Sequence, residues 1–236
     1  ISLGLVGSEM CIRDRYYKKL GRGAPLILLH GNGESHEIFA PLAESLQNSF
    51  CLYMPDSRGH GQSQKAPLDY YLMAEDIYCL IKCLGLKAPH LFGFSDGGII
   101  ALILASRAPD CISSLTAAGA NPSPRAFKMH VRLRMQIEYF FKREEKTRLM
   151  LKQPEITEQA LNRITARSLI IAGEKDVFPL KHTQSIAEGI PHSQLLILKG
   201  RNHYNYIYDT NMLAPILSSF CLKKPPSGSS ELRPPL

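Results

Sequence analysis

Short apolar runs recur along the chain: "PLILLHG" at 25–31, "FCLYMPD" at 50–56, "HLFGF" at 90–94, "SLTAAG" at 114–119, "SLIIAGE" at 168–174 and "QLLILKG" at 194–200. None alternates with polar residues, so each reads as a strand buried on both faces, as in a parallel sheet. Between the runs the apolar positions take a helical spacing, over residues 38–46, 72–84, 96–107, 180–190 and 211–220. "LMAEDIYCLIKCL" at 72–84 is the clearest amphipathic case. Strand alternating with helix predicts right-handed crossovers and a doubly wound, mostly parallel α/β sheet. Residues 16–20 read as the remnant of an earlier strand.

One connection is too long for a simple crossover. About fifty residues separate the runs at 114–119 and 168–174, and they read as two or three helices, roughly 125–143, 144–152 and 157–163. An ordinary crossover needs one helix. Residues 122–167 therefore read as a small helical cap inserted over the carboxyl ends of the strands, where ligands bind in such sheets. The main α/β domain is placed at 15–222. Residues 223–236 ("KKPPSGSSELRPPL") are polar and rich in Pro and Ser, and read as a disordered tail. Residues 5–14 ("LVGSEMCIRD") back-translate into a transposase adapter of the kind used in DNA sequencing libraries. Residues 1–14 are therefore read as a sequencing artefact, with the native start of the gene upstream.

Composition narrows the class. The 236 residues are 44% hydrophobic and 21% charged, the balance of a globular domain with an ordinary core. No apolar run reaches the roughly 18 residues that cross a bilayer, so no membrane span is expected. The six cysteines form no C-x-x-C pair, and most lie in apolar segments. They read as buried thiols of a reducing compartment, which implies a cytoplasmic protein. The net charge of +7 is concentrated in residues 122–167, which hold eleven Lys and Arg against five acids. That excess is either a solvated helical face or an attraction for acidic substrates or a membrane surface. No nucleic-acid-binding motif accompanies it, so no nucleic-acid partner is expected.

The candidate chemistry begins at Gly93-Phe94-Ser95-Asp96-Gly97, a G-x-S-x-G between a strand and a helix. A serine there is either an ordinary helix N-cap or the exposed residue of a strained strand-to-helix turn, crowded enough to need both glycines. Two further motifs precede it at strand ends: "HGNG" at 30–33 and "DSRGHGQS" at 56–63. Gly31-Asn32-Gly33 is too short for a phosphate loop and lacks its lysine. No metal cluster or dinucleotide fingerprint appears, and no cofactor is expected.

Taken in order, the three motifs resemble the α/β-hydrolase superfamily across roughly residues 16–222. The resemblance implies Ser95 as nucleophile, followed along the chain by an acid and a histidine. It places the base at His203 in "KGRNHYNY", after the last strand. "AGEKDVF" offers Glu174 and Asp176 as the acid, and the family's G-x-x-D pattern favours Asp176. It also implies an oxyanion hole made by the backbone N–H groups of Asn32 and Asp96. Candidate substrate contacts are Asp96, Asn121, Tyr139 and Phe140. The run "YFF" at 139–141 reads either as pocket lining or as helix core. Asp96 itself either points away and favours the helix dipole, or faces the pocket and pairs with a cationic substrate group. "GFSDGGI" followed by "GAN" at 119–121 is similar to hydrolases of α-amino-acid esters, in which the corresponding acid receives the substrate ammonium.

The expected activity is that of a serine hydrolase, carboxylesterase-like, acting on a small carboxylic ester or related acyl bond through an acyl-enzyme on Ser95. The expected partner is a small-molecule ester, and the expected state a monomer or homodimer. Lactonase, amidase and C–C bond hydrolase chemistry share these residues, because fold does not fix substrate. Two readings from other classes stand beside it: a cofactor-free perhydrolase or haloperoxidase, and a non-catalytic ligand-binding protein on the same fold.

Overall fold

Every apolar run becomes a strand of one seven-stranded sheet in the computed structural model, which describes residues 15–222. The readings placed on 1–14 and 223–236 lie outside the described residues. In chain order the elements are β1 (Tyr17–Gly21), β2 (Ala24–Leu29), α1 (Ala40–Leu46), β3 (Phe50–Pro55), α2 (Tyr70–Cys83), β4 (His90–Phe94), α3 (Asp96–Arg107), β5 (Ser114–Ala118), α4 (Met129–Lys142), α5 (Glu145–Lys152), α6 (Glu158–Asn162), β6 (Arg167–Lys175), α7 (Leu180–Gly189), β7 (Ser193–Asn202) and α8 (Ala214–Leu222). The strand order is β1-β3-β2-β4-β5-β6-β7. β1 runs antiparallel to β3, and every other pairing is parallel. This is the doubly wound, mostly parallel sheet that the strand–helix alternation predicts.

Successive side chains of a strand point to opposite faces, and both faces are covered in β2 to β6. The edge strand β7 buries only Leu198 and leaves Leu195 exposed, contrary to the expectation for that run. Leu26 and Leu28 pack with Phe92 and Phe94 against α1 and α8, through Leu42, Leu46, Leu217 and Phe220. Ile27 and Leu29 face the other way, into the core formed with α2, α3, α6 and α7. A strand covered on both sides has no polar alternate position, which is why the runs are continuous. α3 is buried from Asp96 to Ser106. A helix hydrophobic all round belongs in the middle of a core, and "IIALILA" meets that requirement.

The three helices between β5 and β6 differ in how they are held. Leu149 of α5, Leu161 of α6 and the following Ile164 join the core that contains α3. α4 buries only Met135. Polar contacts tie this segment down as well: Ile156 N–H donates to the Pro122 carbonyl at 2.9 Å, and Lys128 N–H to the Val177 carbonyl at 3.2 Å.

The loop after β3 is braced by buried charges. Asp56 accepts hydrogen bonds from the His36 backbone N–H at 2.7 Å, from His36 Nδ1 at 2.9 Å and from Gln62 N–H at 2.8 Å. Arg58 meets Asp76 of α2 through Nε at 2.8 Å and Nη2 at 2.7 Å, and Arg15 Nε adds a third contact to Asp76 at 2.9 Å. Removing one partner of a buried pair leaves the other charge uncompensated. Asp76→Ala is therefore expected to lower the unfolding free energy by about 3–5 kcal/mol, measured by equilibrium urea denaturation. A loss under about 1 kcal/mol, the value of an exposed pair, would show that water already screens the site.

Candidate active site

A single residue turns the chain from β4 into α3. Ser95 has φ 53° and ψ −118°, a conformation that costs a non-glycine residue about 1–3 kcal/mol. Its surroundings impose it. Ser95 N–H donates to the Ala118 carbonyl at 2.8 Å, while the Ser95 carbonyl accepts from Gly98 N–H at 2.9 Å and Ile99 N–H at 3.1 Å. A Cβ on Gly93 would overlap the Gly97 carbonyl, and one on Gly97 would overlap the Leu29 carbonyl. Both glycines of the motif are thus steric necessities. The Ser95 side chain makes no capping bond to α3, so the ordinary N-cap role is not the one it fills.

Its hydroxyl meets His203 instead. Ser95 Oγ lies 3.0 Å from His203 Nε2, and His203 Nδ1 lies 2.8 Å from Asp176 Oδ1. An ionised carboxylate only accepts, so Nδ1 carries the ring proton and Nε2 presents its lone pair to the serine hydroxyl. Asp176 is itself pinned, accepting from Val177 N–H at 2.7 Å and from Gly173 N–H at 3.4 Å. His203 follows the last residue of β7, and Asp176 follows the last residue of β6. The imidazole is buried and packs against Phe94, Phe178 and Tyr204, with ring centroids at 5.2, 5.7 and 5.0 Å. Glu174, the other candidate acid, is exposed and accepts from Gly200 N–H at 2.8 Å. A carboxylate–imidazole–hydroxyl chain of this kind can take the hydroxyl proton onto Nε2 and stabilise the imidazolium that results.

The turn after β2 forms the other wall. His30 Nδ1 bonds the Gly31 carbonyl at 2.7 Å, and Nε2 accepts from Ser57 N–H at 3.0 Å. Burial lowers the His30 pKa to about 4, so the ring is neutral, with its proton on Nδ1, and ties the turn to the loop after β3. Asn32 donates through its side-chain amide to Asp96 Oδ2 at 2.8 Å and to the Lys146 carbonyl at 3.3 Å. Asp96 stands in the first turn of α3, with its carboxyl buried and turned toward Asn32. Burial raises its pKa to about 6, against the lowering effect of the neighbouring Tyr70 hydroxyl and Asn32 amide.

Other candidates stand apart from the hydrogen-bonded chain. Asn121 is buried after β5 and donates to the Ser123 carbonyl at 2.8 Å. Tyr139 and Phe140 lie on α4, each with the Arg143 guanidinium 5.5 Å from its ring centroid, and Phe140 is exposed. Among the described residues, no helix is long and apolar enough to cross a membrane.

Sequence reasoning missed Glu34. Its Oε2 accepts from Gly31 N–H at 2.7 Å, and its Oε1 accepts from the Tyr208 hydroxyl. Gly31 is wedged between this carboxylate and Ser95: a Cβ on it would lie 2.8 Å from Glu34 Oε2 and 3.0 Å from Ser95 Cβ. Burial raises the Glu34 pKa. A carboxylate three residues past the glycine of "HGNGE" was a visible signal, but Tyr208, far along the chain, was not.

Fold and site together define an α/β scaffold with a strained serine at a strand–helix elbow and an acid–imidazole pair behind it. A family model described as "alpha/beta hydrolase fold" matches residues 24–156. The human protein "Serine hydrolase BPHL" is 30% identical over 237 residues, covering 84% of this chain and 81% of that protein. The "Pimeloyl-[acyl-carrier protein] methyl ester esterase" of Chromobacterium violaceum is 33% identical over 107 residues, covering 45% of this chain and 41% of that one, less than half of its length. A solved thermophilic esterase from Thermogutta terrifontis superposes with a TM-score of 0.73 at 20% identity, covering 88% of this chain and 92% of that one. The chain belongs to the α/β-hydrolase fold family.

Glu34 joins the turn after β2 to the loop that carries His203. Glu34→Ala is expected to lower kcat by about tenfold or more with little change in KM, since a backbone donor beside the reacting serine costs up to about 10²–10³ when it is misplaced. Glu34→Gln should recover most of that loss, because its amide oxygen can still accept from Gly31 N–H. Equal kcat in all three proteins, measured on a soluble ester, would show that the turn holds itself.

Proposed function

We propose that the chain is a serine hydrolase that cleaves a small carboxylic ester through an acyl-enzyme on Ser95. The observation that carries this reading is the continuous hydrogen-bonded line Asp176–His203–Ser95 at the strained elbow. Ser95 Oγ attacks the ester carbonyl as His203 Nε2 takes the hydroxyl proton. The oxyanion is received by the backbone N–H groups of Asn32 and Asp96, at the positive end of α3. Collapse expels the alcohol, which leaves with the proton held on His203. Water then attacks the acyl-enzyme, His203 takes a proton from it, and the acid departs as Ser95 regains its hydrogen. The names of the relatives, a serine hydrolase and a methyl ester esterase, support ester cleavage as the reaction class.

The segment at 122–167 acts in this reading as a small cap, and it favours short-chain or small aromatic esters over long-chain triglycerides. A narrower reading of the acyl side rests on charge. Two carboxylates, Asp96 and Glu34, border the serine, and Asn32 engages one of the Asp96 oxygens. A substrate ammonium seated beside Ser95 would be attracted by both carboxylates. Apart from Lys128, whose Nζ donates to the Asp176 carbonyl, the basic excess of the cap acts from farther away, where screening over about 8–10 Å weakens it.

Labelling with a fluorophosphonate tests the mechanism, with an adduct expected on Ser95. Ser95→Ala is expected to retain less than about a thousandth of wild-type kcat on p-nitrophenyl acetate, given losses of about 10⁴ or more when such a serine is removed. An adduct on another residue would move the nucleophile elsewhere. Peroxide-dependent turnover with no ester hydrolysis would reassign the chain to the perhydrolases.

The ammonium reading is tested by a ratio. Wild type should prefer an α-amino-acid ester to its des-amino analogue by about tenfold or more in kcat/KM, and Asp96→Asn should lose that preference. Asp96 is ionised above its pKa of about 6. The preference should therefore fade as pH falls through that value, and fade again at higher pH where the substrate ammonium loses its proton, at about 8 or below. The ratio isolates the contribution of Asp96, because both esters use the same base. A ratio independent of both pH and the substitution would leave Asp96 as a residue of the helix terminus.

A further inference from the structure

The outer face of α4 is apolar and uncovered by any described residue. Met129, Leu133, Ile137, Phe140 and Phe141 are 86%, 56%, 52%, 64% and 77% exposed. The first four recur at i, i+4, i+8 and i+11, which places them on one stripe of the helix. At about 100° per residue, Phe141 widens that stripe on one side. Arg134 then lies along the flank next to Phe141, and Arg132 and Arg143 along the opposite flank. Glu138 is the single acid of α4, and Lys142 pairs with it at 2.9 Å. The inner side of the helix buries only Met135.

We propose that this face of α4 docks on the surface of an anionic lipid bilayer. A large exposed apolar patch with a polar rim marks an interaction surface rather than ordinary solvent exposure. Here the rim is basic, and residues 122–167 carry eleven Lys and Arg against five acids. Apolar side chains between basic flanks suit the headgroup boundary, where the former enter the acyl edge and the latter meet anionic headgroups. The 14 residues of α4 are too few to span a bilayer, but they can lie in its interface. A second copy fits less well, since pairing the face with itself would bring two basic segments together.

Co-sedimentation tests the proposal, with one set of vesicles of phosphatidylcholine alone and another containing about 30 mol % phosphatidylglycerol. The chain should partition onto the anionic vesicles at least about tenfold more strongly, and the excess should fall as salt rises from about 0.05 to 0.5 M and the screening length shortens. Leu133→Glu with Phe141→Glu should reduce binding to the phosphatidylcholine background. Both side chains are exposed, so the double variant should keep its circular dichroism and its melting temperature. Equal binding to the two vesicle types, no binding to either, or a double variant that binds like wild type would overturn the proposal. A salt-insensitive dimer that the double variant dissociates, with the chain left in the supernatant, would assign the face to a second copy. Binding to polyglutamate but not to vesicles would assign it to an acidic protein. Either result would overturn the bilayer assignment.

Discussion

No side chain fits between the first turn of α3 and the end of β2. A Cβ on Gly97 would overlap the Leu29 carbonyl, and one on Gly93 would overlap the Gly97 carbonyl. The helix therefore approaches the sheet backbone to backbone, and the site follows from that approach. Ser95 is driven to positive φ because the chain must reverse within one residue. The turn after β2 is drawn beside it, with Gly31 wedged between Ser95 and Glu34. Strain at one residue is tolerable because buried strands on both sides hold the turn: the Ser95 N–H is fixed by β5, and its neighbours Phe92 and Phe94 are fully buried.

Four ionisable groups crowd around that serine, and their partners separate them. Asp176 receives two backbone N–H groups besides the imidazole. It is built as the acceptor for His203 and fixes the tautomer that leaves Nε2 facing Ser95. Asp96 has the Tyr70 hydroxyl and the Asn32 amide against its burial, and its pKa still rises to about 6. Glu34 is also raised by burial, although Gly31 N–H and the Tyr208 hydroxyl act to lower it. One family of side chain thus supplies a positioned acceptor in one environment and a titratable group near neutrality in another, because desolvation and hydrogen bonding act in opposite directions on a carboxylate.

The strands were legible because a strand buried on both faces has to be a continuous apolar run. Residues 90–94 and 96–107 coincide with β4 and α3, where the motif itself marks the boundary. Helix starts were less legible, and proline explains much of the slippage. Pro41 stands in the first turn of α1, after a tighter turn at His36–Phe39, and Pro215 stands in the first turn of α8. Proline suits the first turn of a helix and resists being farther inside. The helix expected from 125 begins at Met129, because Phe127 and Lys128 take extended ψ angles of 140°. At the site, local order in the sequence carried Ser95, Asp176 and His203 to strand ends. The roles of Glu34, Tyr70 and Tyr208 arise only when distant loops meet, and periodicity holds no record of that meeting.

The segment between β5 and β6 touches the site by polar contacts more than by apolar ones. Lys128 Nζ donates to the Asp176 carbonyl, the Lys146 carbonyl accepts from Asn32, and Gln153 bridges Asp69 and the Tyr70 N–H at the start of α2. Each anchor thus falls on, or next to, a residue at the site: Asp176, the turn after β2 and the tyrosine beside Asp96. The anchors at 146 and 153 lie in and just after α5, whose Leu149 reaches the core together with Leu161 of α6 and Ile164. α4 buries Met135 alone, and that residue lies outside the same core. Local opening is least costly where few apolar contacts are lost. α4 is therefore the helix of this segment whose opening disturbs the core of Leu149 and Leu161 least.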